Sequence, residues 1–277
     1  MLAKPTCADA GSSDVDEPLL ETRDGGIAVL TLNRPGQRNS LSEELIIRLE
    51  SAISRLGTER ELKAVVIAAN GPAFSAGHDL KELTARRQEA DGGRAYFAHL
   101  MQLCSGMMLA IVRSPKPVIA AVEGVASAAG CQMVASCDLA VAGSQAAFAT
   151  PGVNIGLFCS IPMVALSRNV SRKRAMAMLL LGEMLSAPDA ADWGLVNKVV
   201  AAGKALEEAM LMARVIASKS PATVAIGKRA FYSQVEAPLE VAYAETAEVM
   251  VRNMMFLDAE EGIDAFIAKR KPEWKGC

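Results

Sequence analysis

The chain has few of the residues that build most metal and stacking sites. It carries 2 histidines and 2 tryptophans among 277 residues, and aromatics make up 4%. The two histidines, His78 and His99, do not form a metal-ligand cluster in sequence. Charge is balanced as well: 29 Lys and Arg against 31 Asp and Glu leave a net charge of −2, without the basic footprint of a nucleic-acid binder. Cys7, Cys104, Cys131, Cys137, Cys159 and Cys277 show no metal-ligand spacing and read as reduced, mostly buried thiols. No uninterrupted apolar run is read as long enough for a membrane helix. The densest, 175–181, is flanked by Arg172, Lys173, Arg174 and Glu183. Neither Gly-x-Gly-x-x-Gly nor Gly-x-x-x-x-Gly-Lys-Ser/Thr follows a strand-like run, which removes a nucleotide-binding regulatory domain.

What is present is material for a large core, since 51% of the residues are hydrophobic. Residues 1–20 mix Ala, Gly, Ser, Asp and Pro without periodicity and read as a mobile tail. Asp9, Asp14, Asp16 and Glu17 against Lys4 do not fit an Arg-rich transit peptide, so the expected compartment is cytoplasmic. From there strand-like runs at 27–32, 63–69, 118–122, 139–142 and 147–150 alternate with helical patterns at 42–57, from 79, at 96–112 and through 133. That order predicts parallel βαβ units in an α/β fold. Ser42 followed by Glu43 and Glu44 reads as a capped helix start. From about 161 the pattern is helical, interrupted by a strand-like 195–200. The expected divisions are a tail at 1–20, a core at 21–200 and a helical region at 201–277.

Two small-residue turns stand out: Ala73-Phe74-Ser75-Ala76-Gly77-His78-Asp79-Leu80 and Ala126-Ser127-Ala128-Ala129-Gly130-Cys131. Each follows an apolar run and opens into a helix, so each can aim free backbone N–H groups at an anionic oxygen. Taken singly, Gly77 or Gly130 reads as an ordinary strand end. Together with Asn33-Arg34-Pro35-Gly36-Gln37-Arg38-Asn39-Ser40-Leu41, and in this order, the segments resemble the crotonase superfamily, the enoyl-CoA hydratase/isomerase family of CoA-thioester enzymes. The resemblance runs from about Ile27 to the end. It implies a ββα spiral core, a helical C-terminal trimerisation region and a homotrimer, possibly paired into a hexamer in the family's manner.

It also implies site residues. His78 and Ala129 would supply the backbone N–H donors of an oxyanion hole. Arg38, Asn39, Ser40, Ala76, Gly77 and Lys269 would contact CoA, although cations at a helix end such as Lys269, Arg270 and Lys271 also complement the helix dipole. No metal or separate cofactor is implied, because CoA enters with the substrate. Hydratases of this family use two glutamates for proton transfer. The corresponding positions here are Gln132 and Gly152. An amide orients water but is no base near neutrality, and glycine does neither. Asp79, Glu82, Glu123 and Asp138 are the carboxylates that stand near enough in sequence to be displaced bases; Cys159 is a further reactive candidate whose simpler role is packing. The sequence thus leaves two readings: a hydratase/isomerase-type lyase or isomerase of fatty acid metabolism with weak standard hydration, or a catalytically silent acyl-CoA binder that modulates lipid metabolism.

Overall fold

The computed structural model describes residues 17–277. Strands are dealt alternately into two sheets. In the six-stranded sheet the order is β1 (Leu19–Asp24), β2 (Ile27–Leu32), β3 (Ala64–Ala69), β5 (Val118–Val122), β7 (Leu139–Gly143) and β10 (Lys198–Val200); in the four-stranded sheet it is β4 (Ala73–Ser75), β6 (Val125–Ser127), β8 (Ala147–Ala149) and β9 (Leu185–Ser186). The pairs β3–β4, β5–β6 and β7–β8 each send their first strand to the large sheet and their second to the small one, and successive pairs lie side by side in parallel. This is the ββα spiral that the resemblance implies. Its consequence is that the chain leaves β4, β6 and β8 at neighbouring carboxyl ends of one small sheet.

The apolar runs are continuous because both faces of the large sheet are covered. Along β3, Val65 and Ile67 face the main core while Ala64, Val66 and Ala68 face a second layer. That second layer is closed by α8 (Ala205–Ala217), whose Ala205, Ala209 and Ala213 let the helix lie close on the sheet. On the other side sit α1 (Glu43–Thr58) and α3 (Arg94–Arg113). Helix α1 starts where its side-chain chemistry dictates: Ser42 Oγ accepts from Leu45 N at 3.3 Å, and Glu43 and Glu44 occupy the positive end. Its Leu45, Ile46, Leu49, Ile53 and Leu56 form one buried face.

Three expectations are corrected. Residues 1–16 of the anticipated tail lie outside the described residues, but Leu19 and Leu20 already belong to β1, which pairs antiparallel with β2 from Leu19↔Leu32 to Asp24↔Ile27. The strand escapes a hydrophobicity reading because it is an edge whose last residues are exposed. It is fixed instead by ions: Arg23 pairs with Glu21 and with Glu59, each at 2.7 Å, and Arg55 reaches Glu21. Second, α3 is long and apolar enough to cross a membrane by length and composition. Its buried stripe of Leu100, Cys104, Met107, Met108 and Ile111 is the face packed into the core. Third, only Lys198–Val200 of the 195–200 run is strand, pairing with β7.

After β10 the chain is helical: α8, α9 (Pro221–Gln234), α10 (Leu239–Met254) and α11 (Leu257–Ile267). Asp258, 2% exposed, clasps the terminus, accepting from Ser220 Oγ at 2.5 Å and from the N–H groups of Lys275 and Gly276.

Candidate functional site

The turn after β4 is held by the loop ahead of α1. Asn39 is fully buried in a left-handed conformation (φ 51°). Its Oδ1 accepts from Arg34 N at 2.7 Å, and its Nδ2 donates to the carbonyls of Asn70 and Ala73, each at 2.8 Å. Ser75 Oγ in turn donates to the Asn39 carbonyl at 2.9 Å. Backbone bonds complete the clamp: Ala76 N donates to Arg38 O, Leu41 N to Gly77 O, and Asp79 N to Leu41 O at 3.0, 2.8 and 3.2 Å. Those bonds use the peptide groups on either side of His78 and leave its own N–H without an acceptor among the described residues. Asp79 then caps α2 (Leu80–Arg86) through the amides of Lys81 and Glu82 and pairs with Arg34 at 3.3 Å.

The turn after β6 is built differently. Ala128 sits at φ 49°, ψ −114°, a conformation that favours glycine. It is held there because its N–H donates to Ala149 O of β8 at 2.9 Å and its carbonyl accepts from Gln132 N at 3.0 Å. Helix α4 (Ala129–Ser136) follows at once, so Ala129 presents a helix-start N–H with no protein acceptor among the described residues. The strained residue carries an expectation. Ala128→Gly should raise the melting temperature by a few degrees, since such strain costs about 1–3 kcal/mol and glycine returns only part of it as chain entropy; calorimetry showing no gain would locate the strain elsewhere.

The two turns touch. A Cβ built on Gly77 would lie 3.0 Å from Ala128 Cβ, 3.0 Å from Ser127 O and 3.4 Å from Ala129 N; one on Gly130 would lie 2.4 Å from Ser75 O. Only hydrogen fits at either place. The third strand end, after β8, adds Thr150 and the 3₁₀ turn Pro151–Ile155 containing buried Gly152. Gln132, 4% exposed, projects from the first turn of α4.

Four buried side-chain polar atoms lack a hydrogen-bond partner among the described residues. They are His78 Nε2, Gln132 Oε1, Thr150 Oγ1 and Tyr96 Oη. The first three come one from each of the three strand ends. Burial holds the His78 imidazole below its ordinary range, so it is neutral at pH 7. Thr150 is the residue that sequence reasoning passed over; the signal for it was a hydroxyl directly after a buried strand and before Pro151.

Comparison with known proteins agrees with this architecture. Residues 22–277 match the model of the family described as enoyl-CoA hydratase/isomerase. The human enoyl-CoA hydratase domain-containing protein 3, mitochondrial, is 49% identical over 249 residues, spanning 90% of this chain and 80% of the relative. A crystal structure of a Mycobacterium smegmatis enoyl-CoA hydratase superposes with TM-score 0.89 at 50% identity, covering 94% of this chain and 99% of the other. That of the human domain-containing protein 3 gives 0.88 at 48%, covering 93% and 100%. The chain belongs to the enoyl-CoA hydratase/isomerase family.

Membership corrects the compartment. The human, mouse and rat relatives are all named mitochondrial, which overturns the cytoplasmic expectation. That expectation rested on a few acidic side chains in a segment ahead of the family match, where composition is weakly constrained by the fold.

The carboxylates that sequence alone offers as displaced bases are all engaged in holding the family fold. Asp79 caps α2, and Glu82 accepts from Glu43 N at 3.1 Å. Glu123 accepts from Ala205 N at 2.9 Å at the head of α8. Asp138 is bonded to Lys228, Tyr232 and Val118 N. Cys159 is buried and its thiol is pushed up by burial; Cys131 is pushed up to about 12 for the same reason. Both are packing thiols rather than nucleophiles. Among the CoA-contact positions, Arg38, Asn39, Ser40, Ala76 and Gly77 lie in the clamp and the turn it holds. Lys269 is exposed at φ 52°, beyond α11, which packs on α9 and α10. Clefts of about 370 and 520 Å³ also lie along α9, away from the strand ends, so hydrogen-bonding deficits and not cavity size single out the site.

Proposed function

We propose that this chain binds acyl- or enoyl-CoA thioesters and stabilises a thioester enolate through the N–H groups of His78 and Ala129. One observation carries the reading: two backbone donors without protein acceptors stand on turns in van der Waals contact, at adjacent carboxyl ends of parallel strands. Losing one such donor typically costs about 3–4 kcal/mol of transition-state stabilisation. CoA enters as part of the substrate and no separate cofactor is required. By the names of the relatives, the setting is mitochondrial.

The chemistry beyond enolate stabilisation is limited by Gln132 and Gly152, which resemblance puts at the positions of the two hydratase glutamates. Acid and base groups give about 10² to 10⁴ each, so standard hydration is expected to be weak, and proton transfer to or from the enolate has to be relocated or supplied by the substrate. The competing reading, a silent acyl-CoA binder, is favoured by the same two residues. Titration with butyryl-CoA and turnover of crotonyl-CoA separate them: the expected result is binding with slow turnover, raised about a hundredfold in Gln132→Glu. Robust hydration by the native chain would show a base elsewhere. The second position is a poor place to restore a glutamate, because a Cβ on Gly152 would meet Leu157 O at 2.9 Å and Cys159 Sγ at 3.0 Å.

A homotrimer, or a hexamer of paired trimers, completes the proposal. Tyr243, Met255, Phe266 and Ile267 are 72–85% exposed on the C-terminal helices, more apolar surface than a lone subunit leaves in water. Light scattering at micromolar concentration should return at least three times the subunit mass; a monomer would overturn the assembly.

A further inference from the structure

We propose that the cleft of about 520 Å³ between the end of α3 and α9 binds an organic phosphate monoester, at a site separate from the thioester turns. Its lining comes from residues 112–115 on one wall and from one face of α9 on the other, and includes no residue of those turns.

The charge of the cleft is one-sided. Arg113 and Arg229 line it, and no carboxylate does. Neither guanidinium has an ion pair or a hydrogen-bond acceptor among the described residues, whereas the exposed Arg23, Arg48, Arg168, Arg174 and Arg270 are all ion-paired. Arg113 stands in the last turn of α3 and complements that helix's dipole. Arg229 lies in the middle of α9 and has no such role. Asp138, which Tyr232 of the same cleft bonds at 3.0 Å, is already taken up by Lys228 and by Val118 N. Burial and the neighbouring charge of Lys63 lower the Lys116 ammonium just past Pro115, a second sign that positive charge in this region goes uncompensated. Ser114 adds a third donor. It lines the cleft at 6% exposure, and its Oγ accepts from Lys116 N at 3.2 Å while its proton has no acceptor among the described residues.

Donors without acceptors call for an anion, and the charge selects which one. A phosphate monoester carries close to two negative charges at pH 7, matching the two guanidinium groups, and each arginine fork is shaped to hold two of its oxygens. A carboxylate balances only one of them. Inorganic phosphate leaves the walls unused: Val112, Pro115 and Ala225 offer apolar surface, and the volume falls within the range of small-molecule sites. The phosphate therefore belongs between the arginines, with an apolar group of the same ligand against those walls.

Titration calorimetry of the native chain with phenyl phosphate, inorganic phosphate and phenol tests the site. Phenyl phosphate should bind saturably and more tightly than inorganic phosphate, phenol should not bind, and saturating butyryl-CoA should not displace the phosphate ester. Arg113→Gln and Arg229→Gln should each weaken phenyl phosphate by about tenfold or more, the usual loss for a charged hydrogen-bond donor. Melting temperature should change little, because neither arginine has a side-chain partner in the fold. Arg94→Gln, at the other end of α3, should leave the affinity as it is. The proposal is overturned by absence of phenyl phosphate binding, by displacement with butyryl-CoA, by affinity that survives both cleft variants, or by an equal loss in Arg94→Gln. Equal affinity for phenyl phosphate and inorganic phosphate overturns the organic ligand.

Discussion

Gly130→Ala is expected to disable the protein with a single methyl group. The added carbon would sit 2.4 Å from Ser75 O, 2.8 Å from Ser75 Cβ and 3.0 Å from Ser75 C, so the obstacle is backbone and cannot rotate aside. The head of α4 must lift away from the end of β4. Overpacking of this kind costs about 1–3 kcal/mol or more, and a fall in melting temperature of roughly 5–10 °C follows for a domain of this size. The functional loss should be larger than the stability loss, because the movement separates the Ala129 N–H from that of His78, and acyl-CoA affinity should drop by about a hundredfold or more. Gly36→Ala is the control: a Cβ there meets nothing within 4 Å, and neither stability nor binding should change. Retained affinity in Gly130→Ala would mean that the two turns need not meet for a thioester to bind.

The same contact explains what was legible before any coordinates. Strands β2 and β5 fall on the residues that hydrophobic runs select, because each is buried on both faces and reads as an unbroken apolar segment. Helix α1 is marked by its own punctuation, with Ser42 ahead of it and Glu43 and Glu44 in its first turn. The short strands β4 and β6 read as turns instead, since three residues give no period to detect. Their pairing is a property of the spiral, which stacks one ββα unit on the next, and no local pattern encodes it. The edge strand β1 escaped because ion pairs, not burial, hold much of it.

The site divides along the same line. Gly77 and Gly130 announce themselves as small residues between an apolar run and a helix. Thr150 does not, because what distinguishes it is an absence: a buried hydroxyl with no partner, visible only when every neighbour is in place. The opposite error also has a physical cause. Asp79, Glu123 and Asp138 look like available bases in sequence, yet each turns out to accept backbone N–H bonds at the start of a helix or strand. Lys269 sits in a segment that matches the family's closing residues, exposed beyond α11.

Lys228→Met should produce the largest loss of stability in the C-terminal region. Lys228 reaches from α9 into the core, with only 6% of its side chain exposed, and donates to Asp138 Oδ2 at 2.7 Å and to the carbonyls of Ile111 and Lys116 at 3.0 Å each. Asp138 is also gripped by Val118 N at 2.7 Å and Tyr232 Oη at 3.0 Å, so one ammonium group ties α9 to α3, the following loop and β7. Removing it strands a buried carboxylate, a change that costs about 3–5 kcal/mol and about 10 °C in melting temperature. The sign of the pH dependence identifies the cause. Burial already raises the Asp138 carboxyl above its ordinary range, and the Lys228 charge opposes that shift; without the lysine the carboxyl rises further. A carboxyl with a raised folded-state pKa holds its proton more tightly when folded, so its contribution is fully present below the unfolded value and is lost as pH climbs through the folded one. The deficit of Lys228→Met should therefore be greatest at neutral pH and shrink as the solution is acidified toward the pH at which Asp138 takes up its proton. Adding Asp138→Asn should recover part of the loss at pH 7 and flatten the profile. Denaturant melts of the two variants from pH 7 downward give the answer: a deficit independent of pH, unrelieved by the second change, would mean that α9 is held by packing rather than by this buried charge.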